Sequence, residues 1–70
     1  VEKVFKQHIN KIIRILNSIE NEGQLECGKI IINNFVDYWK FKKMNIKEIR
    51  SNLALFNMIY KFKKNRFYEQ

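Results

Sequence analysis

Near the start of the chain Phe5, Ile9, Ile12, Leu16 and Ile19 recur at three- and four-residue steps. That spacing gathers them into one stripe along an α-helix. Val4, Ile13 and Ile15 widen the stripe, while Lys6, Lys11, Arg14 and Asn17 fall largely on the other side. The pattern predicts a first helix over about 2–20. Asn21-Glu22-Gly23-Gln24 then reads as a connector, with Leu25 and Cys27 in a short turn and glycine as the natural helix stop. A second helix is predicted over about 28–41, where Ile31, Phe35 and Tyr38 lie beside Ile32, Val36 and Trp39 in two adjacent stripes. So wide an apolar face suits a helix with two neighbours. Ile30-Ile31-Ile32 has strand propensity, but the helical pattern downstream and the lack of a partner strand outweigh it. Lys42-Lys43-Met44-Asn45 breaks the pattern again. Asn45 is a candidate N-cap, with Glu48 three residues on, where a capping-box acid belongs. Ile46, Ile49, Leu53, Phe56 and Tyr60, with Leu55, Ile59 and Phe62 on a second face, predict a third helix over about 46–66.

Three helices joined by short loops pack antiparallel to their neighbours. The expected fold is all-α, a small three-helix up-down-up bundle in one domain, standing alone or within a larger helical bundle. The first residue is Val1 rather than Met, so the domain is expected to be excised from a longer protein.

Size then matters. Ordering 70 residues costs roughly 100 kcal/mol at about 1.5 kcal/mol each, and a small core barely offsets it. The single cysteine, Cys27, rules out an intrachain disulfide, and Cys27 with His8 alone falls short of a structural zinc site. Helix packing or association must do the work, and a chain that is 46% hydrophobic with ten aromatics is suited to it. A marginal monomer is expected, or a homodimer through Leu55, Ile59 and Phe62. No apolar run reaches the roughly 18 residues of a membrane span, and no signal peptide is recognisable. An unpaired cysteine fits a reducing, intracellular setting.

Charge is unevenly placed. Residues 1–26 carry four cations and four carboxylates, so the net +7 belongs to residues 27–70, with ten Lys/Arg against three Asp/Glu. A basic half implies an acidic partner. Eleven Lys beside eleven Ile and nine Asn also fits A/T-rich coding, in which case part of the charge reflects codon composition and solubility.

Candidate chemistry is sparse. No nucleophile–base pair, glycine-rich phosphate loop or calcium-binding loop is recognisable, so the expectation is a non-enzyme without cofactor, metal or small-molecule substrate. His8 reads as a packed or surface residue, and Cys27 as a small buried apolar one.

Tyr38-Trp39-Lys40-Phe41-Lys42-Lys43-Met44 alternates rings and lysines across a helix end. One reading makes Tyr38 and Trp39 core. The other exposes Trp39, Phe41 or Met44 among Lys40, Lys42, Lys43 and Lys47, a slot for an acidic peptide with an aromatic anchor. Trp39, Lys40, Lys42, Lys43, Met44, Ile46 and Lys47 are therefore the candidate partner-binding residues. Lys61, Lys63, Lys64 and Arg66, interleaved with Phe62, Phe67 and Tyr68, are candidates for nucleic-acid phosphate contacts. A basic amphipathic helix also suits a membrane surface, a reading that ranks below both.

Asn10-Lys11-Ile12-Ile13-Arg14-Ile15-Leu16, Lys42-Lys43-Met44-Asn45-Ile46-Lys47 and Met58-Ile59-Tyr60-Lys61-Phe62-Lys63-Lys64 follow one another in a particular order. That order resembles the helical bundles of the transcription elongation factor TFIIS N-terminal domain and its relative, the integrase-binding domain of lens-epithelium-derived growth factor. The resemblance spans about residues 3–66. The family's first helix would lie upstream of Val1, and its short middle helix would shrink to Gln24–Cys27. An acidic loop residue that grips the partner in the integrase-binding relative would fall near Phe5. The resemblance implies a transcription- or chromatin-associated interaction module. It would be nuclear rather than cytoplasmic and would bind acidic, aromatic-anchored segments at Met44 and Ile46, among Lys42, Lys43 and Lys47.

Overall fold

A computed structural model describes residues 2–68. Three helices, α1 (Glu2–Asn17), α2 (Glu22–Phe41) and α3 (Ile46–Tyr68), form an all-α bundle about 40 Å long and 15–17 Å across. Phe5 and Lys6 of α1 line a cleft with Asn45 and Glu48 at the start of α3. At the far end Asn17 of α1 meets Lys63 of α3. The first and third helices are therefore parallel. Val4 and His8 of α1 lie beside Tyr38 and Trp39 near the end of α2, so α2 runs the other way and the topology is up-down-up. α3 packs closely on both partners, whereas α1 and α2 touch each other less.

The stripes read from the sequence make the core. Phe5, Ile12, Leu16 and Ile19 are buried from the first, Ile32, Phe35 and Trp39 from the second, and Ile49 and Phe56 from the third. Aromatic edges tie the helices together. Phe35 meets Phe56 edge to face at 5.0 Å, and Phe5 meets Trp39 at 4.9 Å. Such pairs add about 0.5–1.5 kcal/mol each beyond area burial.

The helix boundaries differ from expectation at one place above all. α2 starts at Glu22, and Gly23, Gln24, Leu25 and Cys27 belong to its first turns. Asn21 is the N-cap, with Oδ1 accepting from the Gln24 backbone N–H at 2.9 Å. The Gln24 side chain reaches back to accept from the Glu20 N–H. The two bonds resemble a capping box, with the returning bond taken one residue before the N-cap, and together they outweigh the low helix propensity of glycine. Gly28 then marks a crossing instead of a stop. A Cβ there would stand 3.0 Å from Ile19 Cδ1 and 3.2 Å from Leu16 Cδ2, so its missing side chain is what lets α1 and α2 approach.

The other boundaries shift less. α1 ends at Asn17, three residues short of the predicted limit, where Ser18 Oγ donates to the Ile15 carbonyl at 2.7 Å and turns the chain. α3 runs two residues past Arg66. Asn45 Oδ1 accepts from the Lys47 N–H at 2.8 Å, as an N-cap does, and Glu48 is exposed. Cys27 is exposed, contrary to the expectation of a buried residue, because it lies on the side of α2 away from Leu25 and Gly28. Among the described residues no helix is long and apolar enough to cross a membrane.

Candidate basic-aromatic interface

The corner between α2 and α3 is built by a Schellman turn. Lys43 N–H donates to the Lys40 carbonyl at 3.0 Å, and Met44 N–H donates to the Trp39 carbonyl at 2.9 Å. These bonds satisfy carbonyls that a helix end leaves open. The turn requires a left-handed residue, and here it is Lys43, at φ 60°, the one non-glycine residue with positive φ among those described. Met44 follows, half-buried, and packs back on the core.

Burial sorts the predicted site residues. Trp39 is 2% exposed, so it is a core residue and not a surface anchor. Its indole Nε1–H donates to His8 Nδ1 at 2.9 Å, and its ring packs on Phe5. Position 39 shares the inward face of α2 with Phe35 and Ile32, so its ring is carried into the core. The exposed ring is Phe41, at 81%, which faces away from that stripe. Lys40, Lys42, Lys43 and Lys47 are all exposed around it in the chain, and Ile46 is 44% exposed. Tyr38, read as core on one alternative, is also exposed, and Lys42 Nζ stands 5.8 Å over its ring. The arrangement offers point charges and apolar rings. It suits carboxylates that flank a hydrophobic side chain. The chain's periodicity does separate the two rings: Trp39 keeps register with Ile32 and Phe35, and Phe41 does not.

His8 is half-buried against Phe35 and Trp39, at ring distances of 5.1 and 6.2 Å. The indole N–H is only a donor, so His8 Nδ1 must be unprotonated and the proton sits on Nε2. Burial, and then the positive charge of Lys11, lowers the His8 pKa below its ordinary value.

The second basic group is dispersed. At about 100° per residue, Lys61 and Lys64 share one side of α3 while Lys63 and Arg66 share another. Lys63 is already engaged, its Nζ donating to the Asn17 carbonyl at 2.8 Å and capping the end of α1. Phe67 packs on the core, whereas Phe62 and Tyr68 are exposed. On the face expected to dimerise, Ile59 packs on the core and Leu55 is half-buried, leaving Phe62 outside. Among the described residues no three His, Cys, Asp or Glu side chains gather to hold a metal ion.

No family model, curated protein or solved structure matches this chain.

Proposed function

We propose that this chain is a non-catalytic interaction module that captures an acidic protein segment at the α2–α3 corner. The observation that carries the reading is Phe41, an aromatic ring left almost fully in solvent within a run of exposed lysines. A solvated ring has no structural use at that place, since Trp39, Phe35 and Phe56 already fill the core. A partner with an aromatic or aliphatic anchor covers it, and carboxylates beside the anchor meet Lys40, Lys42, Lys43 and Lys47. Charge of this kind speeds encounter and selects partners, while the desolvated ring supplies the affinity. The resemblance to transcription-associated bundles supports the same reading and suggests a transcription or chromatin factor as the partner, in the nucleus.

The test is capture of a short peptide with one Trp flanked by Glu and Asp. Reversing Lys42, Lys43 and Lys47 to Glu, or replacing Phe41 with Ser, is expected to abolish capture while helicity by circular dichroism stays intact. Unchanged capture refutes the reading. Tighter binding of single-stranded DNA, falling steeply with salt as counterion release requires, assigns the surface to nucleic acid instead.

A further inference from the structure

The α1–α2 pair is covered by α3 on one side and open on the other. On α1, Val4, His8, Lys11 and Ile15 recur at steps of four, three and four residues. On α2 and its C-cap, Cys27, Ile31, Asn34, Tyr38 and Lys42 recur at four, three, four and four. Each set is one helical stripe. The helices are antiparallel, so the stripes run side by side. Their meeting is visible at one end, where Val4, Tyr38, Trp39 and Lys42 line a cleft of about 270 Å³. A second cleft continues from it along Gln7, His8 and Lys11. Farther along, the absent side chain of Gly28 brings α2 close to Leu16 and Ile19.

The trough has the chemistry of a helix seat. On the two stripes His8, Ile15 and Ile31 are half-buried, and Val4 and Tyr38 stand exposed at 54% and 45%. His8 is neutral while it accepts from Trp39, so the floor carries no charge there. Lys11 and Lys42 are the only ionised side chains in the two stripes, and neither stripe holds a carboxylate. Val4 to Ile15 spans about 16 Å at 1.5 Å per residue, the length of three helical turns.

We propose that this trough docks a fourth helix, an acidic amphipathic helix from a partner protein, completing a four-helix arrangement. Apolar side chains at i, i+3, i+4 and i+7 of the incoming helix enter between Val4 and Tyr38 and over Ile15 and Ile31. Its carboxylates meet Lys11 and Lys42. A second copy of this chain fits less well, because each carries +7 and the repulsion opposes pairing. The proposal rests on the preceding reading only for the acidity of the partner, and the two surfaces share Lys42 and the Tyr38 ring beneath it.

Two probes separate them. One is a designed helical peptide of about five turns with Leu on one face and Glu on the others. The other is the short Trp-bearing acidic peptide used for the corner. Both are titrated by two-dimensional NMR against the wild-type chain, a trough variant (V4E with K11E) and a corner variant (K43E with K47E). All four substituted side chains are exposed, so the fold should persist, and K11E alone is the control should the double variant unfold. The expected result is that the trough substitutions weaken the helical peptide at least tenfold while the corner substitutions change its affinity less than threefold. Amide shifts should run along residues 4–15 and 27–42. Placing Pro in the middle of the helical peptide should abolish its binding. Absence of binding, equal affinity for the trough variant, or equal affinity of the Pro peptide overturns the proposal. So does concentration-dependent dimerisation that V4E abolishes, which would give the trough to a second copy. Loss of the short peptide alone in the corner variant leaves the corner reading standing whatever happens at the trough.

Discussion

Lys43 provides the sharpest test of how this corner is built. It occupies the left-handed position of the Schellman turn at φ 60°, where a β-carbon crowds the following carbonyl and costs about 1–2 kcal/mol relative to the right-handed helix. Glycine removes that clash but gives back about 0.5–1 kcal/mol through the greater freedom of its unfolded chain. Lys43→Gly is therefore expected to stabilise the fold by up to about 1.5 kcal/mol. In a domain of this size that raises Tm by up to about 12 °C. Lys42 is the internal comparison. Its φ of −78° and ψ of 2° already suit an L-residue, so Lys42→Gly should lose about 0.5–1 kcal/mol. Urea and thermal denaturation followed by circular dichroism measure both. The same Lys43→Gly protein should bind the Trp-bearing acidic peptide more weakly, because a cation beside Phe41 is gone. A more stable protein that binds less well separates a functional lysine from a structural one. If Lys43→Gly is no more stable than the parent, strain at this turn is not stored as argued. If it binds equally well, Lys43 does not face the partner.

Gly28→Ala is expected to destabilise by about 0–2 kcal/mol, since roughly 1 kcal/mol of helix propensity is outweighed by about 1–3 kcal/mol of overpacking against Leu16 and Ile19, both buried. Gly23→Ala, whose new Cβ meets only Asn21 Oδ1 at 3.4 Å, should stabilise by up to about 1 kcal/mol, and paired urea titrations showing the same sign at both sites would refute the crossing argument. For His8 the folded pKa lies below the unfolded value, so the unfolded chain binds the extra proton. Its contribution is fully present above about pH 6.5, falls as pH drops through that value, and levels off below the folded pKa. Lys11 and the Tyr38 ring flank the group. The wild-type minus His8→Gln stability difference, measured across pH 5–8, should show this slope, and a flat difference would remove the Trp39–His8 bond from the account.

The fold was legible because helical periodicity and the core coincide. Phe5, Ile12, Leu16, Ile32, Phe35, Ile49 and Phe56 were all read as inward from spacing alone, and all are buried. The start of α2 was misread for a definite reason. Gly23 and Gly28 look like stops when propensity is judged residue by residue. One is instead tolerated because Asn21 accepts from the Gln24 N–H and the Gln24 side chain from the Glu20 N–H, and the other is required by the proximity of α1. The second cause is tertiary and leaves no local trace. Cys27 was misplaced along with it, since a residue assigned to a loop cannot be given a helical face.

The proposed interaction surface was legible in composition, and its orientation only from the helical register. Alternating rings and lysines over residues 38–44 drew attention to this corner, yet only one of Trp39 and Phe41 can point inward on a helix, because positions two apart differ by about 200°. The deciding evidence was seven residues upstream: Trp39 lies one and two turns from Phe35 and Ile32, and those commit it to the core. The trough is harder still, because its two stripes lie on antiparallel helices, with Ile15 and Ile31 16 residues apart and Val4 and Lys42 38 apart in the chain. Val4 and Tyr38 become neighbours only once the topology is known. In the sequence Val4 and Ile15 only widened the first stripe and Tyr38 belonged to the second, and the apolar excess was assigned to Leu55, Ile59 and Phe62 of the third helix. In a bundle of 70 residues with so little interior, apolar side chains that the core leaves out are the ones to ask about, and here those of α1 and α2 face each other across a trough whose only charges are positive.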